Sequence, residues 1–202
     1  MLVSCHPQNP QMRWIKKAAE ILQQGGIIIY PTDTVYGLGC DLLNKKGIDR
    51  IYEIKKRDRK QPLSFICADL KHISQYAQVS DFSYKVMKKL LPGPYTFILK
   101  ASRLVPKMII PKRQTTGIRV PDNLICQALV SELGRPIIST SVKDDRGEIM
   151  TNPEEMEKKF RHVVDIVLDG GESSATPSTV LNLVDDVVEI IRIGKGDATA
   201  FQ

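Results

Sequence analysis

The sequence predicts a single α/β domain built around a twisted, mixed sheet. Apolar residues alternate between helical spacing and short β-branched runs along most of the chain. Three strand-like runs then follow one another near the carboxyl end, which points to a mixed sheet rather than a purely parallel one. The 202 residues suffice for one sizeable core, and no internal repeat, low-complexity stretch or long linker divides them. The domain is expected over 9–196, with short extensions at 1–8 and 197–202.

Asn9-Pro10 reads as a helix start, with Asn as N-cap and Pro at the first helical position. Ile15, Ala18, Ala19 and Leu22 continue at helical spacing until Gly25-Gly26, and Trp14, beside that stripe, reads as packing. Residues 27–30 form a β-branched strand stopped by Pro31, and 31–39 read as a loop rich in hydroxyls and glycine. The next helix carries Ile48, Ile51 and Tyr52 on one face, and Lys55 continues that face by one turn. A lysine so placed is aimed along the sheet towards the strand ends, although a snorkelling lysine gives the same pattern.

A strand at 63–67 follows, then helices marked by Leu70, Ile73 and Ala77 and by Phe82, Val86, Met87 and Leu90. The second ends at Pro92-Gly93-Pro94, because a residue before proline is pushed out of the helical region. Further strands are expected at 95–99, 117–121 and 136–141, and an exposed loop at 101–115. A helix with Ile125, Ala128, Leu129 and Leu133 stops at Gly134, and Asn152-Pro153 opens a short one carrying Met156 and Phe160. Strands at 163–168, 179–183 and 187–193 close the domain.

The composition, 42% apolar and 26% charged, is that of an ordinary globular protein. The net charge of +6 and pI of about 9.1 suit nucleotides, pyrophosphate or RNA without selecting among them. No apolar run reaches a membrane span, and the first ten residues lack a signal-peptide pattern, so the expected location is cytoplasmic. Cys5, Cys40, Cys67 and Cys126 are too scattered for a zinc motif and read as core thiols. His6, His72 and His162 have no partner in sequence that suggests a triad, and nothing suggests a tightly bound cofactor.

The polar residues at the expected strand ends are mostly hydroxyls and cations. They are Thr32, Asp33 and Thr34; the run Lys55-Lys56-Arg57-Asp58-Arg59-Lys60; Thr96; Arg119; Ser139, Thr140 and Ser141; Ser178 and Thr179; and Arg192. A pair of catalytic carboxylates and a Ser-His-Asp set are both missing. Such a set suits holding a polyphosphate and aligning a reactant that needs no deprotonation. The chain has no GxxxxGK[ST] loop, and Gly194-Lys195-Gly196 lacks the third glycine of a dinucleotide fingerprint.

Tyr30-Pro31-Thr32-Asp33-Thr34-Val35-Tyr36-Gly37-Leu38 resembles a signature of the YrdC/YciO family, whose best-studied members are threonylcarbamoyl-AMP synthases. Lys55-Lys56-Arg57, Pro92-Gly93-Pro94-Tyr95-Thr96, Gly117-Ile118-Arg119-Val120-Pro121, Ser139-Thr140-Ser141 and Pro177-Ser178-Thr179-Val180 follow in the family's order. The resemblance implies a twisted α/β sheet with a basic concave groove. It also implies a reaction of ATP, L-threonine and bicarbonate to threonylcarbamoyl-AMP and pyrophosphate, with Mg²⁺, serving tRNA modification. By the same resemblance Lys55 and Arg57 are the catalytic cations. Lys55, Arg57, Ser139, Ser141, Lys143 and Arg192 bind the nucleotide, and Thr34, Arg119 and Ser178 hold the threonine. Arg59 and Lys60 have no firm counterpart.

One position departs from the pattern. The synthases pair Lys-x-Arg with Ser-x-Asn, whereas this chain has Ser141-Val142-Lys143, closer to the YciO branch. Asn offers a carbonyl acceptor, while Lys offers only donors and a positive charge. Two classes of function therefore stand side by side: an adenylate-forming enzyme, and a binding module for double-stranded RNA, tRNA or ribosomal RNA.

Overall fold

The expected alternation is present in the computed structural model, which describes residues 1–56, 63–106 and 114–201. In chain order the elements are β1 (Leu2–Ser4), α1 (Met12–Gln23), β2 (Ile28–Tyr30), β3 (Gly37–Asp41), α2 (Lys45–Lys55), β4 (Ser64–Ile66), α3 (Leu70–Tyr76) and α4 (Asp81–Leu90). Then come β5 (Tyr95–Lys100), β6 (Thr115–Arg119), α5 (Leu124–Leu133), β7 (Ile137–Ser141), α6 (Pro153–Phe160), β8 (Ile166–Asp169), β9 (Thr179–Asn182) and β10 (Glu189–Arg192). All the strands join one mixed sheet in the order β1-β8-β2-β3-β7-β4-β6-β5-β9-β10. Among the described residues no helix is long and apolar enough to cross a membrane.

Local differences from the sequence pattern have physical causes. The first helix begins at Met12 with Gln11 as N-cap, because the Gln8 and Asn9 N–H groups donate to His6 Nδ1 and hold Asn9-Pro10 in the preceding turn. Leu2–Ser4 is an edge strand parallel to β8, a segment too short to show periodicity. In α4 the inner face holds Ser83 and Met87, while Phe82 is exposed. The Ser80 hydroxyl caps the Ser83 N–H, and Ser83 Oγ donates to the Leu183 carbonyl, so a serine takes the inward place.

Residues 37–39, expected in a loop, open β3 between β2 and β7. Glycine disfavours strands, but here the Tyr30 ring lies across it: a Cβ on Gly37 would sit 2.7 Å from Tyr30 Cζ. Glycine leaves room for that ring, while backbone pairing with β2 and β7 on either side holds the strand in the sheet.

The helices cover the two sheet faces unequally. One face carries Phe65, Phe97, Ile118, Ile138 and Leu181, packed under the inner sides of α2, α3, α4 and α6. On the other face α1 and α5 pack together over Ile28, Tyr30, Ile66 and Ile137. Beyond these residues the strands of that face change composition, and the site lies there.

Candidate functional site

Cross-strand register shows what replaces the apolar residues. Ser139 stands opposite both Gly39 and Ser64, and Ser64 opposite Gly117. In neighbouring rows Gly37 faces Ser141, Ile66 faces Arg119, and Val180 lies between Thr96 and Arg192. Small and hydroxylic side chains leave room above the sheet where valine or isoleucine would fill it. The result is a cavity of about 330 Å³, lined by Thr32, Ser64, Thr96, Gly117, Arg119, Ser139, Ser141, Ser178 and Arg192 among others.

Several polar groups on its wall are held in place. The Tyr30 hydroxyl, fully buried, donates to Ser139 Oγ at 2.6 Å, which leaves the serine proton free to point elsewhere. Thr96 Oγ1 and Ser178 Oγ are hydrogen-bonded at 2.8 Å, and Arg192 Nη2 and Nε donate to the Ser178 carbonyl at 2.8 and 3.1 Å. Arg119 Nη2 donates to Asp33 Oδ1 at 2.8 Å and to Thr34 Oγ1 at 2.9 Å. Arg119 Nε and Asp33 Oδ2 are buried without a hydrogen-bond partner. Burial, and then the nearby Arg119 charge, pull the Arg192 guanidinium below its ordinary pKa. Two cations that repel across a partly buried wall are relieved by an anion between them.

A second chamber of about 740 Å³ opens past the end of β7 and shares Thr140, Ser141 and Arg192 with the first. Its wall adds Lys55, Lys56, Lys143, Asp144, Asp145 and Lys159. Lys55 reaches it because α2 buries Ile48, Ile51 and Tyr52, and the same stripe carries its ammonium to the Ser141 carbonyl at 3.1 Å. Lys56, in a left-handed conformation (φ 46°), then ends the helix. The inner chamber thus presents hydroxyls and guanidinium groups, and the outer one ammonium groups, on either side of a common edge.

The model of the Sua5/YciO/YrdC family, described as telomere recombination, matches residues 20–194. The chain belongs to this family. It is 40% identical over 198 residues to the uncharacterized protein YciO of Escherichia coli K12, covering 97% of this chain and 96% of that one. The E. coli YciO crystal structure superposes with a TM-score of 0.95 at 39% identity, covering 100% of this chain and 99% of that chain. A putative threonylcarbamoyl-AMP synthase of Methanocaldococcus jannaschii is 36% identical over 198 residues, or 96% of this chain and 92% of that protein. Pyrococcus abyssi Sua5, solved in complex with L-threonine, gives a TM-score of 0.89 at 27% identity, covering 96% of this chain and 57% of that one.

Within this Sua5/YciO/YrdC fold, Arg119, Ser139, Ser141, Ser178 and Arg192 meet at the inner cavity, and Lys55, Ser141, Lys143 and Arg192 at the outer chamber. Thr34 is buried and accepts from Arg119 without lining the cavity itself. Arg57, with Arg59 and Lys60, lies outside the described residues.

Sequence reasoning passed over three contributors and the pairing of a fourth residue, Asp33. Tyr30 orients Ser139, and its role shows only once β2 and β7 are set two strands apart. Asp33 already occupies the arginine that the family resemblance assigns to a substrate carboxylate. Lys195 Nζ donates to the Asp33 carbonyl at 2.5 Å, tying the carboxyl-terminal segment to the Thr32-Asp33-Thr34 loop. The last is a bulge: Ile190 pairs with Leu181 and Arg192 with Val180, so Ile191 is an extra residue in β10. Without it Ile191 would face Val180, and Arg192 would turn to the opposite face.

Proposed function

We propose that the chain binds ATP and an L-threonine-type substrate in these adjoining chambers. We further propose that it forms L-threonylcarbamoyl-AMP from ATP, threonine and bicarbonate, releasing pyrophosphate, for threonylcarbamoyladenosine modification of tRNA. The observation that carries this reading is the shared wall. Thr140, Ser141 and Arg192 border both the Arg119 side and the Lys55 side, so a carboxylate substrate and a phosphate chain would meet across them. The threonine bound to P. abyssi Sua5 and the synthase name of the M. jannaschii relative support it.

The chemistry asks little of the protein beyond position and charge. Threonine carbamate is already an anion: its oxygen attacks the α-phosphorus, the bond to the pyrophosphate oxygen breaks, and no general base is needed. Arg119 and Ser178 orient the amino-acid part. Lys55, Arg57 and Arg192 offset the negative charge of the phosphates, and the Ser139 and Ser141 hydroxyls donate to nucleotide oxygens.

The described donor set of the outer chamber does not suit a protein-held Mg²⁺. Among the described residues no three His, Cys, Asp or Glu side chains are grouped to hold a metal. Lys143, an ammonium, stands at the position where the synthases carry asparagine.

The test is incubation with threonine, bicarbonate, MgCl₂ and labelled ATP. Threonine-dependent pyrophosphate release is expected, and its absence at high protein concentration refutes the synthase reading. A second reading, an RNA-binding module without this chemistry, is favoured by the net charge of +6. It requires double-stranded RNA affinity that falls steeply with salt, and a flat dependence excludes it.

A further inference from the structure

We infer that the outer chamber takes the nucleotide's polyphosphate as the free anion, with Lys143 making the divalent cation dispensable for binding. The inference rests on the reading of this chamber as the phosphate site and concerns the ionic form it accepts.

The first observation is how the chamber's carboxylates are used. Mg²⁺ on a nucleotide keeps several waters and is usually held by one or two protein carboxylates together with the phosphates. Two described carboxylates lie on this wall, Asp144 and Asp145. Asp145 Oδ2 accepts from Lys159 Nζ at 2.5 Å, and that lysine, with a smaller contribution from Lys56, holds its carboxyl below the usual range. Asp144 Oδ1 accepts the N–H groups of Arg146 and Glu148 at 2.9 and 2.8 Å, closing the 144–148 turn. Each carboxylate thus has one oxygen engaged within the protein.

The second observation is the cation opposite them. Lys143 is paired through its backbone with Ile149, at the base of that same turn, so its Cα is fixed while its side chain is exposed. Among the described residues its ammonium makes no hydrogen bond or ion pair, and it lines the chamber with Lys55, Lys56 and Arg192. Lys56 and Lys55 sit on the end of one helix, and Arg192 is anchored through Ser178, so the cations arrive from three separate elements. A fully ionised triphosphate placed among them finds charge compensation from protein donors alone. A magnesium-bound triphosphate offers less negative charge to these ammonium groups and brings a dication into an electropositive space.

The experiment is calorimetric titration of the full chain with ATP and with inorganic tripolyphosphate, each in excess EDTA and in excess MgCl₂, for the wild type and Lys143→Asn. The wild type is expected to bind both ligands in EDTA at least as tightly as in MgCl₂. Lys143→Asn is expected to lose about tenfold in EDTA, the value of one charge-assisted hydrogen bond, and to bind better once Mg²⁺ is added. Lys143 is exposed, and an unchanged circular dichroism spectrum verifies the fold of the variant. Wild-type binding that is tenfold tighter with Mg²⁺, or no tripolyphosphate binding in EDTA, overturns the inference. Metal-free binding without threonine-dependent pyrophosphate release upholds the inference and refutes the synthase reading, so the two fail separately.

Discussion

Replacing Arg119 with methionine should destabilise the fold strongly, because it strands a buried carboxylate. The Arg119 and Asp33 side chains are 9% and 10% exposed, and a single Nη2–Oδ1 contact of 2.8 Å joins them. At that separation the gross attraction is about 6 kcal/mol with an effective dielectric constant near 20. Most of it offsets the desolvation of both ions, so the pair adds little net stability. Removing only the arginine is different, because Asp33 then remains buried with Oδ2 already unpartnered. Such an orphaned charge costs about 3–5 kcal/mol. For a chain of this size that corresponds to a melting temperature lower by about 6–20 °C. Total stabilities of about 5–15 kcal/mol leave the variant folded and measurable at 25 °C. Urea unfolding and thermal melts should therefore show a large loss for Arg119→Met and recovery of at least half of it in Asp33→Asn/Arg119→Met. A single variant within about 1 kcal/mol of wild type, or a double variant no more stable than the single, refutes this account.

Deletion of Ile191 removes the bulge but keeps Arg192 opposite Val180 on the cavity face, so ATP affinity should stay well above that of Arg192→Ala; a fall to the Arg192→Ala value refutes the bulge argument. Cys5, Cys40, Cys67 and Cys126 are all buried. Burial raises each thiol pKa, that of Cys126 to about 12, so none should react quickly with a disulfide reagent at mildly alkaline pH before denaturant is added. One fast thiol in the native protein contradicts this. His72 Nδ1 accepts the Ala68 N–H at 3.1 Å, and burial, only partly opposed by Asp69, lowers the His72 pKa from 6.5. The unfolded chain then binds the proton more readily, so stability should fall as pH drops through 6.5 towards the folded value and level off below it. His72→Asn keeps an acceptor without the titration and should flatten that slope; an unaltered slope places its origin elsewhere.

The stripe Ile48, Ile51, Tyr52 and Lys55 was legible because helical periodicity alone sets which way Lys55 faces, and its ammonium does reach the end of β7. Ser139, Ser141, Ser178 and Arg192 were legible as polar residues at strand ends, where a sheet leaves room for ligands. The glycine-bearing strand β3 was not, since its glycines make room for the Tyr30 ring and its place comes from pairing with β2 and β7, tertiary context that overrides propensity. Nor was the partner of Arg119. A sequence shows that an arginine sits in a strand, but only the folded loop shows that Asp33 reaches it. Arg192 illustrates both limits: its position was readable, while its direction depends on one extra residue in β10 that no periodic pattern reveals.

These partly legible residues act together through one connection. Ser178 accepts from Arg192 on its carbonyl and shares a hydrogen bond with Thr96 through its hydroxyl, so the outer cation and the inner wall are fixed by one residue. Gly194, where a Cβ would lie 2.3 Å from the Pro177 carbonyl oxygen, lets the chain after β10 pack against that same turn. Lys195 then extends the line to the Asp33 carbonyl, and Asp33 holds Arg119. The two guanidinium groups that bracket the cavity are thus tied to each other through one line of protein atoms. A pair of cations placed with so little freedom would lose little further entropy on binding an anion. Net charge alone would have ranked the Lys55–Lys60 run first. The covalent and hydrogen-bonded frame instead places Arg119 and Arg192 on the wall of the inner cavity, with Arg192 and the lysines lining the outer chamber.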